Sequence, residues 1–262
     1  GREKGKEIVA AKKRGGTHVR TNGLIYSDEK FERDLENAGY KFEKTKTGYY
    51  VSMNPLLKKL FIEGRITYQS LTSTYAALAL DVKDGQNVLD VCSAPGGKAI
   101  FVAEKNPTAN VVACDIHPHR VELIGAYARR MHVKNVTPTL FDGTSFDKEW
   151  AGHFDRVLCD VPCSAMGVVK KQPDVLLNRN ENDITALKKV QYSILDNAKN
   201  YVKRGGLLVY STCTIFKEEN DDNVEEFLKN NNDFEKYPSE FDGQYLPCDT
   251  HDGFFIRRLR RK

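Results

Sequence analysis

The chain has 262 residues, of which 40% are hydrophobic and 29% charged, and a formal net charge of +4; this is the composition of a globular protein with one large domain, or one domain and a small companion. No apolar run approaches the ~18 residues needed to cross a bilayer and no signal peptide opens the chain, so the expectation is a cytoplasmic protein with no membrane partner. The six cysteines form no CxxC pair and the histidines complete no zinc-finger spacing. Neither a disulfide framework nor a metal site is therefore expected, and a thiol is inert by default. A monomer is the simplest expectation, and Gly1 in place of Met marks a trimmed chain or a fragment.

In chain order, residues 1–16 form a basic segment with Arg2, Lys4, Lys6, Lys12, Lys13 and Arg14 against Glu3 and Glu7. The other terminus closes on Arg257, Arg258, Arg260, Arg261 and Lys262. Clustered cations suit a phosphate-bearing partner through counterion release, although solvated tails would read the same way. Residues 17–64 read as a small α+β unit. It has a helix over 27–36 capped by Ser27, strands over 40–43 and 48–52, and a helix from Asn54 with Pro55 at its first position.

From residue 65 to 262 short apolar runs alternate with helix-like stretches. Strands are predicted over 87–92, 110–115, 136–141, 154–160, 206–211 and 253–257. Helices are predicted over 97–104, 120–131, 181–202 (stopped by Arg204-Gly-Gly206) and 218–229. That alternation specifies an α/β domain with a Rossmann-like, mainly parallel sheet covered on both faces.

The first of these strands runs into Cys92-Ser93-Ala94-Pro95-Gly96-Gly97-Lys98. A turn of small residues between a strand end and a helix lets backbone N–H groups approach a ligand closely. The spacing is neither that of a P-loop nor GxGxxG. Asp115 ends the next strand, where an acid can hold both ribose hydroxyls, so the pair favours an adenosine-type ligand. The alternative is a turn merely tightened by Gly96 and Gly97, with Asp115 capping the following helix. Asp142 and Asp160 end further strands. Ligands of open α/β sheets bind outside the carboxyl ends of the strands, so all three acids should converge on one crevice. Cys163, in Asp160-Val-Pro-Cys-Ser164, and Cys213, in Ser211-Thr-Cys-Thr214, leave the sheet on the same side.

The loop Cys92 to Lys98, the Asp-Val-Pro-Cys-Ser and Ser-Thr-Cys segments and the closing Asp252-Gly-Phe-Phe-Ile256 occur in the order of one family. From about Arg20 onward the chain resembles the bacterial ribosomal-RNA small-subunit methyltransferase B and the eukaryotic NOP2/Sun RNA cytosine-5 methyltransferases. The resemblance implies a class I S-adenosylmethionine-dependent methyltransferase fold with a small amino-terminal RNA-binding subdomain. It implies that Cys213 adds to carbon 6 of cytosine, that Cys163 assists release of the product, and that Asp160 holds the cytosine edge. Residues 92–98 with Asp115, Asp142 and Asp160 would bind S-adenosylmethionine. The chemistry requires such a thiol, because carbon 5 becomes nucleophilic only once a thiolate has added at carbon 6. Cys163 is the competing nucleophile, since DNA cytosine methyltransferases use a Pro-Cys cysteine. Cys92, Cys114, Cys159 and Cys248 are structural by default.

The target base must be single-stranded or flipped out, and Arg20, Asn22 and the amino-terminal lysines are similar to the family's RNA grip. Tyr49, Tyr50 and Tyr68 are candidates either for base stacking or for core packing. Ribosomal RNA is the first-choice partner and transfer RNA the second. The family usually has Gly where this chain has Ala165 and often Thr where it has Ala99, and residues 68–73 are a looser version of its usual segment. The NusB-like domain of the bacterial ribosomal enzyme is not among these residues; the basic stretch is read as a junction to it or as the start of a compact relative. Two rivals remain: a methyltransferase of another class, such as one acting on an exocyclic amine, and a non-catalytic RNA-binding scaffold.

Overall fold

The computed structural model describes residues 16–176 and 181–262, so all but Gly16 of the predicted basic segment lies outside the described residues. The chain opens with an antiparallel sheet of four short strands, β1 (Thr17–Thr21), β2 (Phe42–Lys44), β3 (Tyr49–Val51) and β4 (Ile66–Tyr68), in the order β2-β3-β1-β4. Helices α1 (Asp28–Asn37) and α2 (Pro55–Ile62) cover it, burying Phe31, Leu35, Leu57 and Leu60 against Tyr49 and Ile66. Both helices start as their sequences require. The Ser27 hydroxyl accepts from Lys30 N–H and the Asn54 side chain from Leu57 N–H, with Pro55 at the first helical position. Strand β4 lies past the boundary read at residue 64, because Ile66 and Thr67 pair with Thr21 and Arg20. Three residues are too few to carry a period-2 signal.

Helix α3 (Leu71–Ala79) leads to the main sheet. It was not legible in sequence, because six of its nine positions are buried, five of them alanine or threonine, which leaves no polar stripe. The main sheet then follows, with β5 (Asn87–Asp90), β6 (Asn110–Asp115), β7 (Val136–Leu140), β8 (Phe154–Asp160), β9 (Val202–Thr212), β10 (Phe234–Lys236), β11 (Gly243–Tyr245) and β12 (Phe254–Arg261). Its order is β10-β12-β9-β8-β5-β6-β7, with β11 paired to β12. Strands β5 to β9 run parallel and β12 antiparallel to β9. Helices α4 (Gly97–Lys105), α5 (Pro118–Arg130), α6 (Glu181–Ala198) and α7 (Asp221–Asn230) complete the α/β layers. Successive residues of β5 face opposite ways: Val88 packs in the cluster holding Ile100 and Ile124, Leu89 in the one holding Ile194 and Phe227.

Two expectations are corrected. Helix α6 ends at Ala198, and β9 begins at Val202, ahead of the glycines expected to stop the helix. Gly205 adopts a φ of +77° inside β9, where the register with β8 slips between the Phe154 and Arg156 pairings. The glycines thus accommodate a strand irregularity. The basic carboxyl terminus is likewise no solvated tail. Arg257, Arg260 and Arg261 lie in β12 and pair with Asp221, Glu235 and Asp233.

The small sheet is fastened to the main domain by residues expected at an RNA surface. Arg20 is 1% exposed; its guanidinium bonds Glu104 of α4 and Gln69 and lies 4.6 Å from the Phe101 ring. Asn22 is fully buried and donates to the Gly64 and Met131 carbonyls. Both are therefore withdrawn from the described surface. Removing one partner of a buried pair strands the other charge, so Arg20→Ala should cost about 3–5 kcal/mol in denaturant unfolding. Lys83→Ala, at the exposed pair with Asp81, should cost under about 1 kcal/mol. Equal costs for the two would contradict this account of the junction.

Candidate active site

Parallel pairing of β8 with β9 sets Asp160 against Ser211, and the Ser211 hydroxyl donates to Asp160 Oδ1 at 2.7 Å. Past that pairing the two strands diverge into loops carrying Cys163 and Cys213, whose Sγ atoms are 3.3 Å apart. The carboxyl ends of β5, β6 and β8 open onto the same place. A cleft of about 300 Å³ is lined there by Cys92, Ala94, Asp115, Asp142, Asp160 and both thiols, among others. The three strand-end acids and the two cysteines thus meet at one crevice although they are spread over more than a third of the chain.

The turn from β5 into α4 is built as its composition requires. Gly96 has a φ of +106°, and a Cβ there would press on Ile124 at 3.3 Å. Its N–H donates to Ser93 O at 2.7 Å, closing the loop beneath the cleft. Lys98 turns its ammonium to Asp160 Oδ2, at 2.5 Å. Burial works to lower the Lys98 pKa, but the Asp160 carboxylate, with the charges of Asp90 and Cys213 behind it, makes the net shift upward. Asp142 accepts from Thr144 N–H and hydroxyl, which hold its pKa below the usual carboxylate range. Asp115 accepts from His117 N–H and pairs with Arg120 at 3.1 Å, and Arg120 also donates to Ala94 O. Asp115 therefore holds the chain entering α5, as the capping alternative expects, and its residue also lines the cleft.

The thiols differ. The hydrogen bond from Cys163 lowers the pKa of Cys213, and Lys98 helps against burial and the Asp160 charge. The same bond, with burial, raises that of Cys163. Thiolate character is accordingly directed onto Cys213. Cys92, Cys114 and Cys159 are all pushed up by burial.

Four residues in and around this site carried no usable signal in the sequence. Asp90 sat within an apolar run; it is 1% exposed, and burial first, then the Asp160 charge, raises its pKa to about 7. Arg120 and Glu219 act through contacts between distant segments. Ser164 was noticed only as part of a motif, yet its side chain joins both cysteine loops. Of the tyrosines, Tyr49 is buried and donates to Glu32, and Tyr68 stacks on Phe61. Tyr50 is half-buried, with its hydroxyl on Thr250 O.

The cleft suits a nucleoside donor with a positive centre. Acids stand at the ends of β6 and β7 to accept ribose hydroxyls, and Ser93 Oγ and both Asp90 carboxylate oxygens are buried without a hydrogen-bond partner. Carboxylates around the crevice would face a sulfonium and an ammonium, and the Ile116 and Phe141 side chains offer apolar surface for a base.

This sheet order, with its antiparallel strand between β9 and β10 and its acid-lined cleft, is that of the class I S-adenosylmethionine-dependent methyltransferases. The crystal structure of PH0851 superposes with a TM-score of 0.90 at 28% identity, covering 98% of this chain and 61% of that one. NSun6 from Pyrococcus horikoshii, crystallised with SFG, superposes with a TM-score of 0.82 at 20% identity, covering 98% and 92%. Residues 77–260 match the 16S rRNA methyltransferase RsmB/F family, and the chain belongs to that family. Its relatives include ribosomal RNA small subunit methyltransferase B of Pasteurella multocida, 36% identical over 216 residues (77% of this chain, 48% of the relative). The probable enzyme of the same name from Bacillus subtilis is 38% identical over 223 residues (77% and 49%). The chain spans about half the length of these two relatives.

Ala165 adopts a φ of 61°. The left-handed conformation costs a residue with a Cβ roughly 1–2 kcal/mol, and Gly returns part of that as entropy in the unfolded chain. Ala165→Gly should raise stability by up to about 1 kcal/mol without altering the cleft, as read by denaturant unfolding. A loss of stability on that substitution would show the local backbone to be otherwise.

Proposed function

We propose that the protein methylates carbon 5 of cytosine in RNA, with Cys213 as the covalent nucleophile. The observation that carries this reading is the thiol pair, 3.3 Å apart beside an acid-lined cleft, with the lowered pKa on Cys213. Methylation of an amine needs no thiol, and a scaffold needs no cleft arranged around two. Membership of the RsmB/F family supports RNA as substrate. The names of the relatives favour the small-subunit ribosomal RNA.

When bound, S-adenosylmethionine supplies an electrophilic methyl group on a sulfonium. The chain's own residues do the rest. Cys213 thiolate adds to carbon 6 of a flipped-out cytosine, and the ring's electron pair moves to carbon 5. Asp160, braced by Lys98 and Ser211, holds the base edge as charge develops. After carbon 5 has taken the methyl group, a water molecule from solvent takes its proton; the C–H electron pair re-forms the 5,6 double bond and expels Cys213 as thiolate. Cys163, held protonated by its environment, stands beside the leaving sulfur and assists its departure. Gly96, Gly97, Asp115 and Asp142 hold the donor, and the small amino-terminal sheet guides the RNA.

The test is trapping on RNA carrying 5-fluorocytosine, where fluorine blocks the final elimination. The wild type should form a denaturant-resistant, donor-dependent adduct, and Cys213→Ala none, with turnover on ordinary RNA down at least about a thousandfold. Cys163→Ala should accumulate the adduct on ordinary RNA. An adduct that survives in Cys213→Ala would transfer the nucleophile's role to Cys163. Bisulfite sequencing of total RNA from cells with and without the protein should lose a 5-methylcytosine in small-subunit ribosomal RNA; a loss confined to transfer RNA would overturn that choice of substrate.

A further inference from the structure

Glu219 is fully buried in the segment between β9 and α7, and its carboxylate accepts three hydrogen bonds. Oε1 accepts from Ser164 N–H and from the Gln191 amide, both at 2.8 Å, and Oε2 accepts from the Ser164 hydroxyl at 2.5 Å. With its one proton committed to Glu219, the Ser164 hydroxyl must accept from Thr214, whose Oγ1 is 2.8 Å away. Ser164 directly follows Cys163 and Thr214 directly follows Cys213. One carboxylate is thus tied, directly or through a single hydroxyl, to the residue after each thiol.

A third arm is provided by Gln191 of α6. Its amide nitrogen also donates to Pro162 O at 2.9 Å, just before Cys163, and Asn223 of α7 donates to its Oε1 at 3.0 Å. The Glu219 carbonyl in turn accepts from the Tyr210 hydroxyl at 2.6 Å, so the residue is anchored at backbone and side chain alike. Such an anchor has work to do. The last bond of the β8–β9 ladder is Val161 N–H to Ser211 O, and the thiols lie beyond it. Another tie across the two loops, Gly167 N–H to Cys213 O, follows the left-handed Ala165.

We propose that Glu219 is the positioning residue of the two-thiol site, clamping the Cys163 and Cys213 loops at the separation their chemistry needs. The inference rests on the reading that both thiols act on the substrate, but the clamp can be measured with no RNA present. Oxidised glutathione is the probe. Two protein thiols and one glutathione disulfide yield the Cys163–Cys213 disulfide and two molecules of reduced glutathione, by successive thiolate attacks. The bond requires the sulfurs to close to about 2 Å, so its rate reports how well the loops are held together.

The wild type should form this disulfide readily, located by peptide mapping. Glu219→Ala should form it about tenfold more slowly, and Glu219→Gln, which keeps the shape and one acceptor, within about threefold of wild type. Ser164→Ala and Thr214→Val each cut one arm of the clamp and carry the test should Glu219→Ala not fold. On ordinary cytosine RNA, Glu219→Ala should lower kcat, leave KM for the methyl donor unchanged and accumulate the covalent adduct. Unchanged disulfide rates in every variant, including one that has lost thermal stability, would overturn the proposal. Slowed disulfide formation with no adduct on any RNA would uphold the clamp and count against the covalent chemistry instead.

Discussion

The parallel register between β8 and β9 is the constraint on which the site depends. Because Asp160 lies opposite Ser211, Cys163, three residues after Asp160, and Cys213, two after Ser211, emerge side by side. A slip of one residue would move each side chain to the other face of the sheet. The register is held where it matters by the Ser211–Asp160 bond, and its irregularity is confined to the far end, near Gly205.

Electrostatics in the crevice follow from that placement. Asp90, Asp160 and Lys98 share a buried site, in which one cation is set among two carboxyl groups. Lys98 pairs with Asp160, and the uncompensated burial falls on Asp90, whose pKa rises to about 7. The same lysine favours the thiolate of Cys213, so the loop at the end of β5 bears on the charge of that sulfur as well as on Asp160.

The small amino-terminal sheet is joined to the main α/β domain through a buried ion pair and a buried amide rather than an apolar patch alone. Arg20 and Glu104 lie 1% and 4% exposed. Such a pair is a weak source of stability but is costly to break, which suits it to fixing one relative orientation of the two units. The sheet is thereby held in a set orientation to the crevice.

Much of the fold was legible in sequence because it rests on local rules. Strand–helix alternation, the Ser27 and Asn54 caps, Pro55, and the Gly-Gly turn are each encoded within a few residues, and two strands, Asn110–Asp115 and Phe154–Asp160, match their predicted limits. Short edge strands such as β4 and the small-residue helix α3 were not legible, because pairing and enclosure by distant segments determine them. At the site, the sequence by itself supplied the candidate groups: two thiols, three strand-end acids and a glycine loop. Only the tertiary structure decided that Arg20 is an internal strut, that Lys98 serves Asp160, and that Glu219 joins the two cysteine loops. Hydrogen bonds and ion pairs depend on distances of a few ångströms between residues far apart in the chain, and no periodicity along the sequence records them.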